Sequence, residues 1–244
     1  MQTIATRHAS KRRLETQRGS QILEFVLVAM VFIPTLMMSF ITGMNLIKTI
    51  EAKQAIRDIG SIYIRGGDFS NYHMQALAQR LSTGLGMNIG STFTGSKNQN
   101  LQATGNVIVY VSQIMWVGDD TSPNCVAAGG AGNCTNKNSF VFNQRIEFGS
   151  SAEKSAHPSI LGNYSGASTT ITNTGAILGP VTNPDAKLSS SGQSAMNATW
   201  MSNLAGQVDL SDGQVVYVVE GWFNTAALGL GTIPSPGVYA RFYF

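Results

Sequence analysis

The chain has 244 residues, enough for one or two domains, and only 12% of them are charged. This fraction is well below the ~25% typical of soluble globular domains. Disordered chains are rich in charge and poor in β-branched residues, so this composition, with 43% hydrophobic residues, excludes disorder. Only one apolar run is long enough to span a membrane, which excludes a polytopic membrane protein. The composition therefore predicts one membrane anchor and a polar, weakly charged globular part.

The net charge of +3 is concentrated at the N-terminus. Residues 1–19 hold five cations and one anion, whereas the other 225 residues hold eleven cations and twelve anions. Nucleic-acid binding needs clustered Lys and Arg to displace counterions from phosphates, and no such cluster follows residue 19. A nucleic-acid partner is therefore rejected. A basic segment ahead of an apolar run instead indicates a membrane protein whose positive flank stays in the cytoplasm.

The apolar run extends over residues 25–47, between Glu24 and Lys48. As a helix of 23 residues it would be ~35 Å long, enough for a hydrocarbon core of ~30 Å. No small-x-small cleavage site closely follows Ile47, so the segment is predicted to remain as an anchor rather than to be removed as a secretory signal. Glu24 lies just inside the hydrophobic segment, where an ionisable group is costly and usually has a partner or a function.

A glycine ends the basic stretch, and Glu24 is the fifth residue after it, in the order Gly19-Ser20-Gln21-Ile22-Leu23-Glu24-Phe25. With the Ala- and Arg-containing continuation from Glu51 to Arg57, this pattern resembles the TadE-like pseudopilins of the tight-adherence type IV pilus system. The resemblance covers about residues 18–65. One departure is that Met30 stands where the family usually has proline, and Pro34 comes one helical turn later.

The resemblance implies a basic leader, residues 1–19, that prepilin peptidase removes between Gly19 and Ser20. It also implies that Glu24 and Phe25 set the registry of subunits during assembly. The expected partners are prepilin peptidase, other pilin subunits, the membrane and the assembly platform with its ATPase. The expected location is the bacterial inner membrane, with the N-terminus cytoplasmic, the head periplasmic and a place in the extracellular pilus after assembly.

A long helix is predicted over residues 20–65, with a kink at Pro34 because proline removes one backbone hydrogen bond. Beyond Lys48 an apolar stripe follows helical spacing, and Gly66-Gly67 should end the helix. The stripe consists of Ala52, Ala55, Ile56, Ile59 and Tyr63. Residues 66–105 should contain one short helix, near residues 70–83, and then a loop.

Residues 106–244 are predicted to form a β-rich head with an irregular insertion at 149–213, which contains a helix near residues 193–204. Four strands are expected, over residues 107–117, 140–148, 215–223 and 238–244. The fold class is α+β, with a short antiparallel sheet packed on the amphipathic half of the long helix. If the last two strands pair around Phe223 and Val238, Glu220 faces Arg241 as a cross-strand ion pair and Trp222 faces Tyr239.

The two cysteines, Cys125 and Cys134, should form a disulfide because the head is expected to lie outside the cytoplasm. The sequence contains no ligand set for a metal, no dinucleotide or phosphate loop and no nucleophile elbow, so neither a cofactor nor an enzymatic activity is predicted. Two other classes stay open: a membrane-anchored periplasmic binding module outside any filament, and an anchored enzyme whose site has no familiar motif.

Overall fold

The computed structural model describes residues 3–82, 88, 98–130, 132–164, 170–200, 210–224 and 237–244, with side chains from Gln21 onward. The chain divides into two compact units, Met1–Ile47 and Lys48–Phe244. The first unit contains the N-terminal part of the long helix. The second is an α+β head in which helices pack on both faces of one mixed sheet.

Helix α1 extends over Thr3–Ile64 and passes through Pro34 without interruption. It thus begins well ahead of Ser20, where the sequence pattern predicted its start, while the kink at Pro34 stays a prediction. The helix ends as predicted, because Gly66 adopts a φ of 89° and its N–H donates to the carbonyl of Tyr63. The N–H of Gly67 donates to the carbonyl of Ile62, so two of the last open carbonyls are satisfied.

Four more helices lie within the described residues of the head. They are α2 (Tyr72–Leu81), α3 (Pro123–Ala127), α4 (Ser151–Ala156) and α5 (Ser190–Trp200). Helix α2 confirms the predicted short helix, and the side chain of Asn71 caps it by accepting from the N–H of His73. Helix α5 begins slightly before the helix predicted in the insertion, and the last part of that prediction lies outside the described residues. The predicted insertion is otherwise built from α4, a 3₁₀ turn at Pro184–Ala186 and hydrogen-bonded loops.

The sheet has five strands in the order β1-β3-β2-β4-β5. Their bounds are β1 Gln99–Gln102, β2 Val107–Val117, β3 Ser139–Ser150, β4 Val215–Phe223 and β5 Val238–Tyr243. The last four confirm the predicted strands. The expectation of a purely antiparallel sheet and of a loop up to residue 105 was wrong, because β1 pairs with β3 in parallel. Its four residues, three of them polar, carry no alternation that would signal a strand.

One face of the sheet packs on the second half of α1. The predicted stripe is buried throughout, and Ile56 and Ile59 are fully buried in one apolar cluster with the sheet. The sheet contributes to this cluster Val107, Val109, Val111, Ile146, Phe148, Val219, Phe223, Val238 and Ala240. The opposite face has its own apolar cluster, which includes Phe140, Phe142 and Met196 and lies under α5 and the 3₁₀ turn. The head therefore has three layers, with the sheet in the middle.

Gly221 controls how closely α1 approaches the sheet. A Cβ atom at this position would lie 2.2 Å from Ile56 Cδ1 and 3.0 Å from a ring atom of Phe223. Both neighbours are buried, so neither side chain can swing into solvent to make room.

We therefore expect Gly221→Ala to destabilise the head, by about 1–3 kcal/mol, because the added methyl group overpacks a filled core. Thermal unfolding of the full chain in detergent, followed by near-ultraviolet circular dichroism, measures this. Gly132→Ala is the matched control, since a Cβ there meets nothing within 4 Å. Equal melting temperatures for the two variants would contradict the packing assigned to Gly221.

Candidate functional site

From Ile22 to Ile47, large apolar side chains are exposed on all sides of α1. Phe25 and Met30 are 73% and 74% exposed, and large apolar side chains remain exposed as far as Ile50. The most apolar 18-residue window of the helix has a mean hydropathy of 2.3, and none of it is buried. Soluble proteins rarely expose apolar patches beyond a few hundred Å². This one helix, near the N-terminus, is long and apolar enough to cross a membrane once.

Glu24 and Phe25 lie next to each other on α1, and both are exposed. No described residue forms an ion pair with Glu24. Gly19 and Ser20 belong to the backbone of the same helix, and their surroundings lie outside the described side chains. The proposed cleavage point and the carboxylate are therefore about one helical turn apart along a single helix.

Two threonines inside the apolar segment form hydrogen bonds within their own helix. The hydroxyl of Thr35, next to Pro34, donates to the carbonyl of Val31 at 2.8 Å, and the hydroxyl of Thr42 donates to that of Met38 at 2.8 Å. A donor that is bonded within its own helix costs little in hydrocarbon. These residues therefore do not conflict with a membrane environment, whereas the carboxylate of Glu24 has no such internal partner among the described residues.

The predicted disulfide is formed between Cys125 and Cys134. Cys125 lies in α3 and Cys134 in the turns that lead into β3, and both are buried in the apolar cluster under α5. The bond therefore ties together the two sides of the connection between β2 and β3. Within the described residues, no group of three or more His, Cys, Asp or Glu side chains could hold a metal ion.

The predicted register of the last two strands is confirmed, since Glu220 faces Arg241 and Trp222 faces Tyr239. The predicted ion pair was wrong. Fully buried Glu220 instead accepts hydrogen bonds from the hydroxyls of Ser159 and Tyr239, the latter at 2.7 Å.

Arg241 faces Glu220 without bonding to it, and its guanidinium carbon lies 5.0 Å from the ring centroid of Tyr243. The hydroxyls of Ser159 and Tyr239 each donate to one oxygen of the Glu220 carboxylate, and Arg241 Nη1 is buried without a hydrogen-bond partner among the described residues. Burial, together with the negative charge of Glu220, raises the pKa of Tyr239 well above its ordinary value.

Three charged residues that sequence analysis did not single out form an ionic cluster, defined as Arg145, Glu147 and Lys154. Glu147 Oε1 accepts from Arg145 Nε at 3.1 Å, and Glu147 Oε2 accepts from Lys154 Nζ at 2.6 Å. The side chains of Arg145 and Glu147 are each only 2% exposed. Two opposite charges two residues apart in a largely buried strand are the signal that could have revealed the cluster.

Strand geometry places the ionic cluster. Positions 145 and 147 of β3 point to the same face, and Ile146 and Phe148 point to the other face, toward α1. Lys154 reaches the carboxylate from α4, which follows β3 directly. The cluster is therefore built from a continuous stretch of chain on the sheet face opposite α1.

The guanidinium of Arg145 is held at several points. Nη1 donates to Ser112 Oγ at 2.6 Å and Nη2 donates to the carbonyl of Gly162 at 3.3 Å. Its central carbon lies 4.6 Å from the ring centroid of Tyr110 and 5.1 Å from that of Phe142. These contacts fix the side chain before any ligand arrives.

Burial by itself would raise the pKa of Glu147, but the charges of Arg145 and Lys154 outweigh it and hold this pKa below its ordinary value. The carboxylate therefore stays ionised at neutral pH. A group whose pKa is depressed in the folded state stabilises that state above its unfolded pKa, and the contribution is lost as the pH falls through the folded value.

We expect Glu147→Gln to lower the free energy of unfolding at pH 7 by about 3–5 kcal/mol, because Arg145 would be left buried without its counter-ion. The loss of stability below pH 4.5, the ordinary value for this carboxyl, should be less steep in the variant than in the unmodified chain. Chemical unfolding of the head at a series of pH values measures both effects. Lys137→Gln, which breaks the exposed ion pair to Asp120, should cost less than about 1 kcal/mol. A Glu147→Gln variant no less stable than this control would contradict the assignment.

A cavity of about 250 Å³ adjoins the ionic cluster. Arg145 and Glu147 line it from β3, and Asn98 and Gln99 line it from the start of β1. The third side is the loop after Gly162, and the lining residues there are Tyr164, Ile171 and Asn173. Ile171 is the one aliphatic residue among the described lining residues, so the cavity is predominantly polar.

Comparison of the chain with protein-family models, with curated proteins and with solved structures finds no match. The class that the fold and these sites define is an α+β head on a chain with one apolar helix suited to a membrane crossing.

Proposed function

We propose that the chain is a minor pilin or pseudopilin of a tight-adherence type IV pilus, cut by prepilin peptidase after Gly19 and assembled through its apolar helix. The observation that carries the proposal is the helix surface from Phe25 to Ile47, which is apolar and exposed on all sides and has one carboxylate near its start. A lipid anchor alone explains the apolar surface. It does not explain an ionisable side chain at Glu24, five residues beyond a glycine that ends a basic segment.

Cleavage would supply the missing partner for Glu24. It would create an α-amine on Ser20, charged near neutral pH because such amines have a pKa of about 8. When the subunit leaves the lipid and packs against neighbouring helices, Glu24 would meet the new amine of an adjacent subunit. An unpaired charge in apolar surroundings is strongly penalised, so this pairing favours one axial stagger over others.

In this proposal the apolar helix exchanges lipid for the helices of other subunits. Hydrophobic burial gives little net drive for that exchange, because lipid tails are as apolar as the side chains. Energy must then come from the assembly platform with its ATPase, and specificity must come from polar contacts such as the one at Glu24. The role is structural, with adhesion or pilus biogenesis as its outcome, and no catalytic step is assigned.

Processing can be tested directly. In cells with active prepilin peptidase, the mature protein should begin at Ser20, and in cells lacking the enzyme it should begin at Met1. N-terminal sequencing of the purified protein from both strains measures this. Gly19→Val should block cleavage, because it introduces a branched side chain at the scissile position. Recovery of an uncut chain from cells with the active enzyme would refute the proposal.

The registry role of Glu24 is tested separately from processing. Glu24→Ala should still be cut after Gly19 but should enter sheared filaments about tenfold less, since the loss of one charge-assisted contact changes an equilibrium by roughly that factor. Glu24→Asp keeps the charge on a shorter side chain and should recover part of the incorporation. Glu51→Ala, also on α1 but in the head unit, is the matched control. Normal incorporation of Glu24→Ala would contradict the registry role.

The polar cavity beside the ionic cluster favours a second candidate, a membrane-anchored periplasmic binding module that does not enter a filament. It has the same anchor and the same head. The two candidates differ in the leader, which stays attached in the binding module, so the sequencing experiment separates them.

A further inference from the structure

The ionic cluster carries an excess of positive charge. Both oxygens of Glu147 are occupied, one by Arg145 and the other by Lys154 and by Gln99 Nε2 at 3.2 Å. Two cations therefore share one anion, and the cluster has a net charge of +1. Lys154 does not line the cavity, but it compensates part of the negative charge of Glu147, so Arg145, which does line the cavity, retains positive charge for an anionic ligand.

Some polar groups around the cavity have hydrogen-bonding capacity that no described residue satisfies. A guanidinium has five N–H donors, and those of Arg145 have three acceptors in the described part of the chain, namely Glu147, Ser112 and Gly162. The side-chain amides of Asn98 and Asn173, on opposite walls, make no hydrogen bond to any described residue. Each amide offers both donors and an acceptor. The cavity thus brings together uncommitted donors, uncommitted acceptors and an arginine that is 2% exposed.

The walls of the cavity are held in place. The N–H of Arg145 donates to the carbonyl of Gly175 at 2.8 Å, and Ala176 forms an antiparallel bridge with Gln144, so this part of the loop is held along the edge of β3. Gly175 has a φ of 79°, and a Cβ there would lie 2.4 Å from the carbonyl oxygen of Arg145, so this approach needs glycine. On the same loop, the hydroxyl of Tyr164 is fixed by Thr170 and by Asn183 Nδ2. The cavity is therefore largely preformed, as small-molecule sites usually are.

The size and lining select the class of ligand. One water takes up about 30 Å³ of liquid volume, so a cavity of about 250 Å³ is too large for one or two waters and smaller than most drug-sized pockets. A predominantly polar lining favours a ligand that is hydroxylated rather than apolar. Arginine with free N–H groups binds carboxylates and phosphates, and the single negative charge of a carboxylate matches the net charge of +1 on the ionic cluster. Glu147 already faces two cations, so it is a weaker partner for a ligand amine, which disfavours an amino acid.

We propose that this cavity binds a single carboxylated sugar residue, with its carboxylate at Arg145 and its hydroxyls at the amides of Asn98, Gln99 and Asn173. The ligand could be a free sugar acid or one residue of an acidic surface polysaccharide, which present the same chemistry. The site lies wholly within the head, so the proposal holds whether or not the subunit enters a filament.

Binding is tested on the full chain in detergent micelles, with D-glucuronate as the probe and with D-glucose and acetate as matched ligands that lack the carboxylate or the hydroxyls. Saturation-transfer difference NMR or calorimetry should show that glucuronate binds at least about tenfold more tightly than either matched ligand. Glucose cannot form the charge-assisted hydrogen bonds of the carboxylate, and acetate cannot form the hydrogen bonds of the hydroxyls. Equal binding of all three ligands, or no binding of glucuronate, would overturn the proposal. If glucuronate binds, an acidic oligosaccharide of glucuronate units that competes with it identifies a polymer residue as the source, and a lack of competition identifies the free sugar acid.

The position of the site is tested by Asn173→Leu, which replaces an exposed lining amide by an apolar side chain of similar size. It should weaken glucuronate binding about tenfold, by loss of the amide contacts. Asn163→Leu, at an exposed asparagine of the same loop outside the cavity lining, should bind as the unmodified chain does. Unchanged affinity in Asn173→Leu, at an unchanged melting temperature, would overturn the assignment of the site. Processing after Gly19 does not involve the cavity, so failure here is distinguishable from failure of the proposed pilin function.

Discussion

The structure depends on a change of surroundings along one helix. From Phe25 to Ile47 apolar side chains are exposed on every face of α1, whereas from Ala52 onward the apolar side chains follow one stripe. The first pattern is stable in lipid or among other apolar helices, whereas the second is stable only against a folded partner, which the sheet provides. Lys48 and Glu51 lie between the two patterns. The division of the chain into two units follows from where polar residues begin to alternate with apolar ones.

The two faces of the sheet differ in the polarity of the side chains that they bury. The face toward α1 is predominantly apolar, and it excludes even a methyl group at Gly221. The other face buries three charged side chains, Arg145, Glu147 and Glu220. A buried ion pair is often no more stabilising than apolar residues of the same volume, because desolvation offsets the attraction. Stability alone therefore gives no reason to keep these charges, and the cavity beside two of them gives one.

Sequence patterns predicted most of the fold because its strands and helices are long and strongly periodic. Strands β2 and β4 and the register of β4 with β5 were predicted residue for residue. Strand β1 was missed because four residues, three of them polar, form a strand only through tertiary pairing with β3. The predicted ion pair between Glu220 and Arg241 was wrong for a related reason. Strand register predicts which side chains share a face, but it does not predict which of them form hydrogen bonds. Ser159, which lies in a loop distant in sequence, donates a hydrogen bond to the carboxylate of Glu220.

The order of the strands has a consequence for how the head folds. The central strand β2 pairs with its sequence neighbour β3, but its other partner, β4, lies on the far side of the whole insertion, and Val107 pairs with Phe223. Closing so long a loop costs chain entropy before any contact compensates it, and topologies rich in such distant contacts fold slowly. The β2–β3 hairpin can therefore assemble early and must wait, with one edge unpaired, until β4 arrives. During that interval its backbone is open to pairing with another chain.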